Sequence, residues 1–331
     1  MNNQNAKLPN PRGEVPIRRP GSARRTSTID ATWPEEREGR IQLHGITRDC
    51  ITPEKGHALH TIGHDELFVT ADSDRCITQI RSTPDRPSLQ TLVGIRALKE
   101  LRQQLASVIP QDQQKGAPFY SLMHDITGVV IISDWAWASR KESLLPGPRA
   151  KRRAMMAKME SACIGFHPDS SALRTDGRYQ ANMAAFVPPF VREDDPEGWH
   201  DLPDVTGVSM RRARWLDLWI EDDIHIESGF QDSATTEEGP RKAVHEYSVR
   251  AIFDKQSMVL KSVIATPHIL PFPECPGAVK NIHRLLGSAA PDIRDQVSQT
   301  LYKTNGCTHL NDALRSLADA PALVANLTTH N

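Results

Sequence analysis

The sequence predicts an α+β fold: internally duplicated β-β-β-β-α-α units forming antiparallel sheets, or a barrel-like sheet, with packed helices. Three observations carry it. Residues Ser22-Ala23-Arg24-Arg25 lead into Ile29-Asp30, and Ser209-Met210-Arg211-Arg212 lead into Leu216-Asp217 at the same spacing. Each opening is followed by strand-like runs, the first ending at Gly45-Ile46 or Gly229-Phe230 and the last at Thr83-Pro84 or Thr266-Pro267. Helical spacing then takes over, with Leu89, Leu92, Val93, Leu98, Leu101 and Leu105 in one half and Val279, Ile282, Leu285 and Leu286 in the other. The last helix of each half aligns Asp125 with Asp312, again at the same spacing.

The chain divides accordingly into an arm at 1–21, a first repeat at 22–139, an insertion at 140–208 and a second repeat at 209–331. Pro9, Pro11, Pro16 and Pro20 keep the arm extended, able to drape over a second subunit of a homodimer. The insertion holds a basic helix candidate at 150–161, a Cys163-Ile164-Gly165-Phe166 turn and Tyr179, and is read as a lid, a wall or a dimer contact.

With 331 residues, 38% of them hydrophobic and 24% charged, the chain has ample material for a core. A formal net charge of -1 gives no general affinity for nucleic acid or an anionic membrane, and no apolar run is long enough to span a bilayer. No hydrophobic stretch near Met1 reads as a secretory signal, so the five widely spaced cysteines are expected as reduced cytoplasmic thiols.

Candidate chemistry concentrates in the second repeat, where His309 stands against Leu122 of the first. Along Val244–Phe253 alternation puts His245, Tyr247, Val249, Ala251 and Phe253 on one inward face. An inward imidazole and phenol can move protons and support an oxyanion; the alternative is a buried histidine satisfied by a backbone carbonyl. Cys275 falls before Pro276 at a helix start, where the positive helix end lowers a thiol pKa and Glu274 opposes it. A small buried residue closing a helix start is the alternative. In Gly306-Cys307-Thr308-His309-Leu310-Asn311-Asp312, Asp312 lies three residues after His309 and is read as orienting a general base. Thr308 with Asn311 also fits an imperfect capping arrangement.

Cys275, Cys307 and His309, with His245 or Asp312 as a fourth ligand, have the ligand types for zinc, although their spacing is not that of a zinc module. His57, His60 and His64 form a second trio, read as exposed and empty. Nucleotide-binding glycine loops, a nucleophile elbow and a His-Glu-x-x-His string are absent, so chemistry is expected to run on side chains without a cofactor, zinc being the alternative.

Leu270-Pro271-Phe272-Pro273-Glu274-Cys275-Pro276 and Gly306–Asp312, with Phe119–Asp125 and Trp135-Ala136-Trp137, resemble the bacterial "domain of unknown function 2889" family. The resemblance is clearest from Met210 to Ala320 and weaker from Arg24 to Trp137. It implies an architecture and a bacterial, catabolic setting, but no activity. The expected function is a cofactor-independent lyase, losing water or formaldehyde, or an isomerase, on a small aromatic or apolar substrate. His309, Asp312, His245, Tyr247 and Cys275 are the catalytic candidates. Cys307, Arg211, Arg214, Glu274, Asn311 and His268 are the substrate-binding ones, with Arg211 or Arg214 meeting an anionic group. The alternatives are a metal-dependent hydrolase and a noncatalytic binding or assembly module.

Overall fold

The computed structural model describes residues 10–35, 39–55, 59–138, 140, 158–173 and 184–330. Most of the basic segment at 150–161, together with Tyr179 and His57, lies outside the described residues.

The fold is α+β. In the first half β1 (Ser22–Thr32), β2 (Ile41–Thr52), β3 (His60–Ala71) and β4 (Ile77–Thr83) form a meander. Among the described residues it is followed by α1 (Lys99–Val108), α2 (Pro110–Gln114), α3 (Pro118–Ile132) and α4 (Trp135–Ala138). The short β5 (Ala185–Phe186) precedes the second meander of β6 (Ser209–Ile220), β7 (Ile224–Thr235), β8 (Arg241–Phe253) and β9 (Leu260–Ile269). A 3₁₀ segment at Cys275–Leu285, then α5 (Ile293–Thr300), α6 (Thr308–Arg315) and α7 (Ala320–His330), complete the second half.

All strands join one nine-stranded antiparallel sheet in the order β4-β3-β2-β1-β6-β7-β8, with β5 and β9 both on the far side of β8. Among the described residues β4 pairs with β3 alone and β9 with β8 alone, so these strands form an open sheet and not a closed barrel. Helices cover one face over two apolar clusters, one per half. The other face is covered at its centre by a smaller cluster around Trp215, Trp199, Phe190 and Val15. This double cover explains why β1 and β6 are buried on both faces despite their arginines.

The described part of the arm, residues 10–21, lies on the chain's own sheet. Asn10 N–H donates to the His268 carbonyl at 3.3 Å, Arg12 N–H to Glu246 at 2.8 Å, and Arg18 pairs with Asp195.

The β1–β6 seam has a pseudo-twofold register. Ser27 faces Arg214 at its centre, and equal steps outward give Arg24 opposite Asp217 and Asp30 opposite Arg211. Both outer pairs are two-pronged: Arg24 meets Asp217 at 2.6 and 2.7 Å, and Arg211 meets Asp30 at 2.7 and 2.8 Å. On the helix side Arg25 grips Asp49 of β2, and Arg212 grips Asp232 of β7. Directly after each of these aspartates the ladder to the next strand carries a bulge, at Asp49/Cys50 and at Asp232/Ser233.

The halves differ at one decisive place. Opposite Asp49 stands Gly63, whereas opposite Asp232 stands His245. Leu122 of α3 packs over Gly45, whereas His309 of α6 packs against His245.

Gly128, in the middle of α3, is required by a close approach, because a methyl there would overlap the Arg212 guanidinium. Gly128→Ala is expected to destabilise the protein by about 1–3 kcal/mol, against the gain that Ala normally brings to a helix interior. Thermal melts of the two proteins check the sign.

Candidate active site

The site forms where β7, β8 and the start of α6 meet. The His245 and His309 rings stack with centroids 3.6 Å apart and planes 16° from parallel. Behind them Asp232 Oδ2 lies 3.4 Å from His245 Nδ1 and 3.6 Å from His309 Nε2. Arg212 holds that carboxylate through Nε at 2.9 Å and Nη2 at 3.1 Å, and reaches Asp312 through Nη1 at 2.8 Å.

Burial fixes the protonation states. Burial and then the adjacent His245 push His309 well below the usual histidine range. Burial also lowers His245, although Asp232 pulls the other way. Burial works against charge on Asp232, but Arg212 and the hydrogen bond from His245 outweigh it and hold the acid ionised. The result is two neutral imidazoles over one carboxylate. A second proton on the pair would meet the first across a stacking distance, so the pair holds one at most.

These rings form one wall of a cavity of about 1600 Å³, together with Cys163, Cys275, Cys307, Phe166 and Phe272. Gly165 admits the thiols, because a side-chain carbon there would sit 2.8 Å from Cys275 Sγ and 3.8 Å from Cys163 Sγ. Burial raises Cys275 well above the ordinary thiol range and Cys163 to about 12. Of the two expectations for Cys275, the small buried residue closing a helix start is the one that holds. Cys275 opens a 3₁₀ segment in an apolar pocket, where loss of water outweighs the helix end.

Several other site expectations are corrected by the positions of the side chains. Asp312 faces Arg102, Arg212 and Arg315, each at 2.8 Å, and His309 takes Asp232 as its carboxylate instead. Tyr247 is fully buried behind Cys307, off the cavity lining. Asn311 Nδ2 donates to the Leu301 carbonyl at 2.6 Å, and Cys307 stands at the helix cap with no side-chain capping bond. Glu274 receives the Ser171 N–H and hydroxyl at 2.8 and 2.9 Å, tying down the insertion. His268 is on the opposite sheet face, bonded to Ser248 at 2.9 Å. Arg211 is committed to Asp30 on that face as well, and Arg214 to Asp125, so neither meets the cavity. His60 and His64 lie exposed along β3.

Asp232, Arg212 and Cys163 escaped the sequence reading. Alternation already separates Arg211 from Arg214, which cannot share a strand face, and points to Arg212 as the partner of Arg214. Nothing in Gln231-Asp232-Ser233 marks its aspartate before the β7–β8 register is known.

Among the described residues the metal-ligand types that gather within 4.8 Å are Asp232, His245 and His309, so Cys275 and Cys307 do not join them. That set suits an ion poorly. An imidazole ligates in its ring plane, and two rings stacked 16° from parallel do not share a point in both planes nearby. Both Asp232 oxygens are also already taken by Arg212.

Residues 210–323, from the start of β6 into α7, match the family model described as "Protein of unknown function (DUF2889)". That segment, about a third of the chain, is what carries the DUF2889 match. The matched segment holds Asp232, His245, Cys275, Cys307 and His309, whereas α1–α4 and Cys163 lie outside it. No curated protein and no solved structure matches the chain. Among its described residues no helix is long and apolar enough to cross a membrane.

His124, His200, His245 and His309 are all lowered, chiefly by burial, so each binds a proton more readily unfolded than folded. Stability is therefore complete above the unfolded histidine value near 6.5 and falls as the pH drops below it. Each buried histidine contributes a slope of up to roughly 1.4 kcal/mol per pH unit until its folded pKa is reached. Urea titrations between pH 8 and about 5 check the direction.

Proposed function

We propose that the protein is a cofactor-independent acid/base enzyme, a lyase removing water or formaldehyde or else an isomerase, acting on a small aromatic or apolar catabolic substrate. The neutral His245–His309 pair, backed by an ionised Asp232 at the wall of a largely apolar cavity, carries this reading. A lowered pKa leaves His309 free to accept a proton at neutral pH, and Asp232 stabilises the imidazolium that results.

The contacts assign the tautomer. His309 Nε2 faces Asp232, so Nε2 carries the hydrogen and Nδ1 is the base, beside Thr308 Oγ1 at 3.3 Å and Cys307 Sγ at 4.0 Å. For loss of water, Nδ1 takes a proton from carbon, and the C–H electron pair becomes the new double bond. The neighbouring C–O bond breaks, and His309 returns its proton to the departing oxygen. For loss of formaldehyde, Nδ1 takes the hydroxyl proton of a CH₂OH group. The C–C pair then stays on the substrate carbon, which receives the proton back. A wall of Phe166, Phe272 and buried thiols suits an aromatic substrate and keeps water from the intermediate.

The same proposal covers a bacterial, cytoplasmic setting and a homodimer. It also takes the matching registers and bulges as marks of duplication, in which the second half alone keeps imidazoles where the first has Gly63 and Leu122. The open cavity favours an enzyme over a noncatalytic module.

Proton NMR in D₂O with arylalkyl alcohols and hydroxymethyl ketones, after chelator treatment, is the test. Product formation is expected, with deuterium on the carbon that loses formaldehyde or with none on the deprotonated carbon when water is lost, at a rate that stays flat as the pH falls through 6.5. Turnover that tracks bound metal, or neither product nor exchange with any compound, would overturn the proposal.

A further inference from the structure

The same cavity reaches past the imidazole pair to a second polar place, built by the first half and the far end of α6. Arg102 Nη2 and Arg315 Nη1 converge on Asp312 Oδ1, both at 2.8 Å, and Arg102 Nε donates to the His124 carbonyl at 3.0 Å. Arg294 borders the same place, holding Ser121 Oγ at 2.9 Å and Asp319. Arg102, Arg294, Arg315 and His124 all line the cavity. Cations outnumber carboxylates on that lining, since Lys99 and Lys115 join the arginines against Asp134 and Asp295.

His124 is the unexplained group. It stands one turn from Tyr120 on α3, edge-on to that ring at 4.8 Å, and neither ring nitrogen has a hydrogen-bond partner although both are shut off from solvent. A buried imidazole with two unmet nitrogens costs stability unless something meets them. With three guanidinium groups close by, an anion is the natural partner, and guanidinium groups recognise carboxylates well.

We propose that His124, Arg102 and Arg315 form an anion subsite of the cavity, which receives the carboxylate of an aryl or arylalkyl acid. This deepens the acid/base reading and rests on it for the identity of the reacting end. His309 and Arg315 are both on α6, six residues apart, so their Cα atoms lie about 9 Å apart along the helix. An aromatic acid with a short side chain fits that span, its carboxylate at one end and its reacting carbon by the imidazoles. The subsite takes the role that the sequence had suggested for Arg211 or Arg214.

Calorimetric titration with cinnamate and with its neutral isostere cinnamamide tests the subsite without any turnover. Wild-type protein is expected to bind cinnamate at least about tenfold more tightly than the amide. Arg315→Gln and His124→Leu should each remove most of that preference and leave amide binding unchanged. His309→Asn should keep the preference, so a failure of the proposed reaction and a failure of the subsite give different results. Should the substituted proteins not fold, the wild-type comparison alone decides. Equal affinity for the two compounds, binding of neither, or a preference that survives Arg315→Gln overturns the proposal.

Discussion

His309→Asn is expected to lower turnover by at least about 100-fold while the protein stays folded. The substitution keeps a polar group of similar depth on α6 and keeps a donor toward Asp232, but it removes the Nδ1 lone pair assigned as the base. His309 is buried but lies at the cavity wall, so the change opens space next to an existing hollow and leaves the packed interior intact. A companion, His245→Asn, separates the roles. If His245 only supports its neighbour, the loss should be smaller and should appear as a shifted pH profile, because the stacked ring is one of the groups that lower His309. Steady-state rates from pH 5 to 9 with matched circular dichroism melts read both effects. Unchanged turnover in His309→Asn would remove the imidazole from the chemistry altogether.

Arg212→Leu should give the largest loss of stability in the molecule, about 3–5 kcal/mol. Arg212 is 1% exposed, holds both oxygens of Asp232 and one of Asp312, and lies 3.8 Å from Asp125. A leucine of smaller reach would leave the Asp232 carboxylate ionised beside two neutral imidazoles with no cation. The physical cause is the stranded charge, so Arg212→Leu combined with Asp232→Asn should recover part of the loss. Removing the exposed pair of Arg40 with Glu35 should change little, since water already screens both groups. Urea denaturation of the four proteins resolves the difference. A loss below about 1 kcal/mol for Arg212→Leu would mean that the aspartates take up protons and do without a counter-charge.

The α+β class and the succession of strands along the chain were legible because period-two alternation and turn prolines are local in sequence. His245, Cys307 and His309 stood out because reactive groups amid apolar neighbours are unusual. The partners of those groups were not legible for a definite reason. Asp232 acquires its meaning only by lying across a strand from His245, and Asp312 loses its expected role because Arg102, from a helix of the other half, reaches it first. Spacing within one helix suggested that His309 and Asp312 touch; long-range ion pairs decided otherwise. For Cys275 the local signals, helix end and Glu274, oppose one another, and burial, which belongs to the whole fold, decides the direction.

The hollow is shared unequally between the two meanders, which has an evolutionary consequence. Its reactive rings come from one half, while Arg102, Tyr120, His124 and Trp135 of its outer wall come from the other. On the proposed function, changes in the N-terminal wall would alter which molecules are admitted without disturbing the imidazole pair, so the two halves can change under separate constraints.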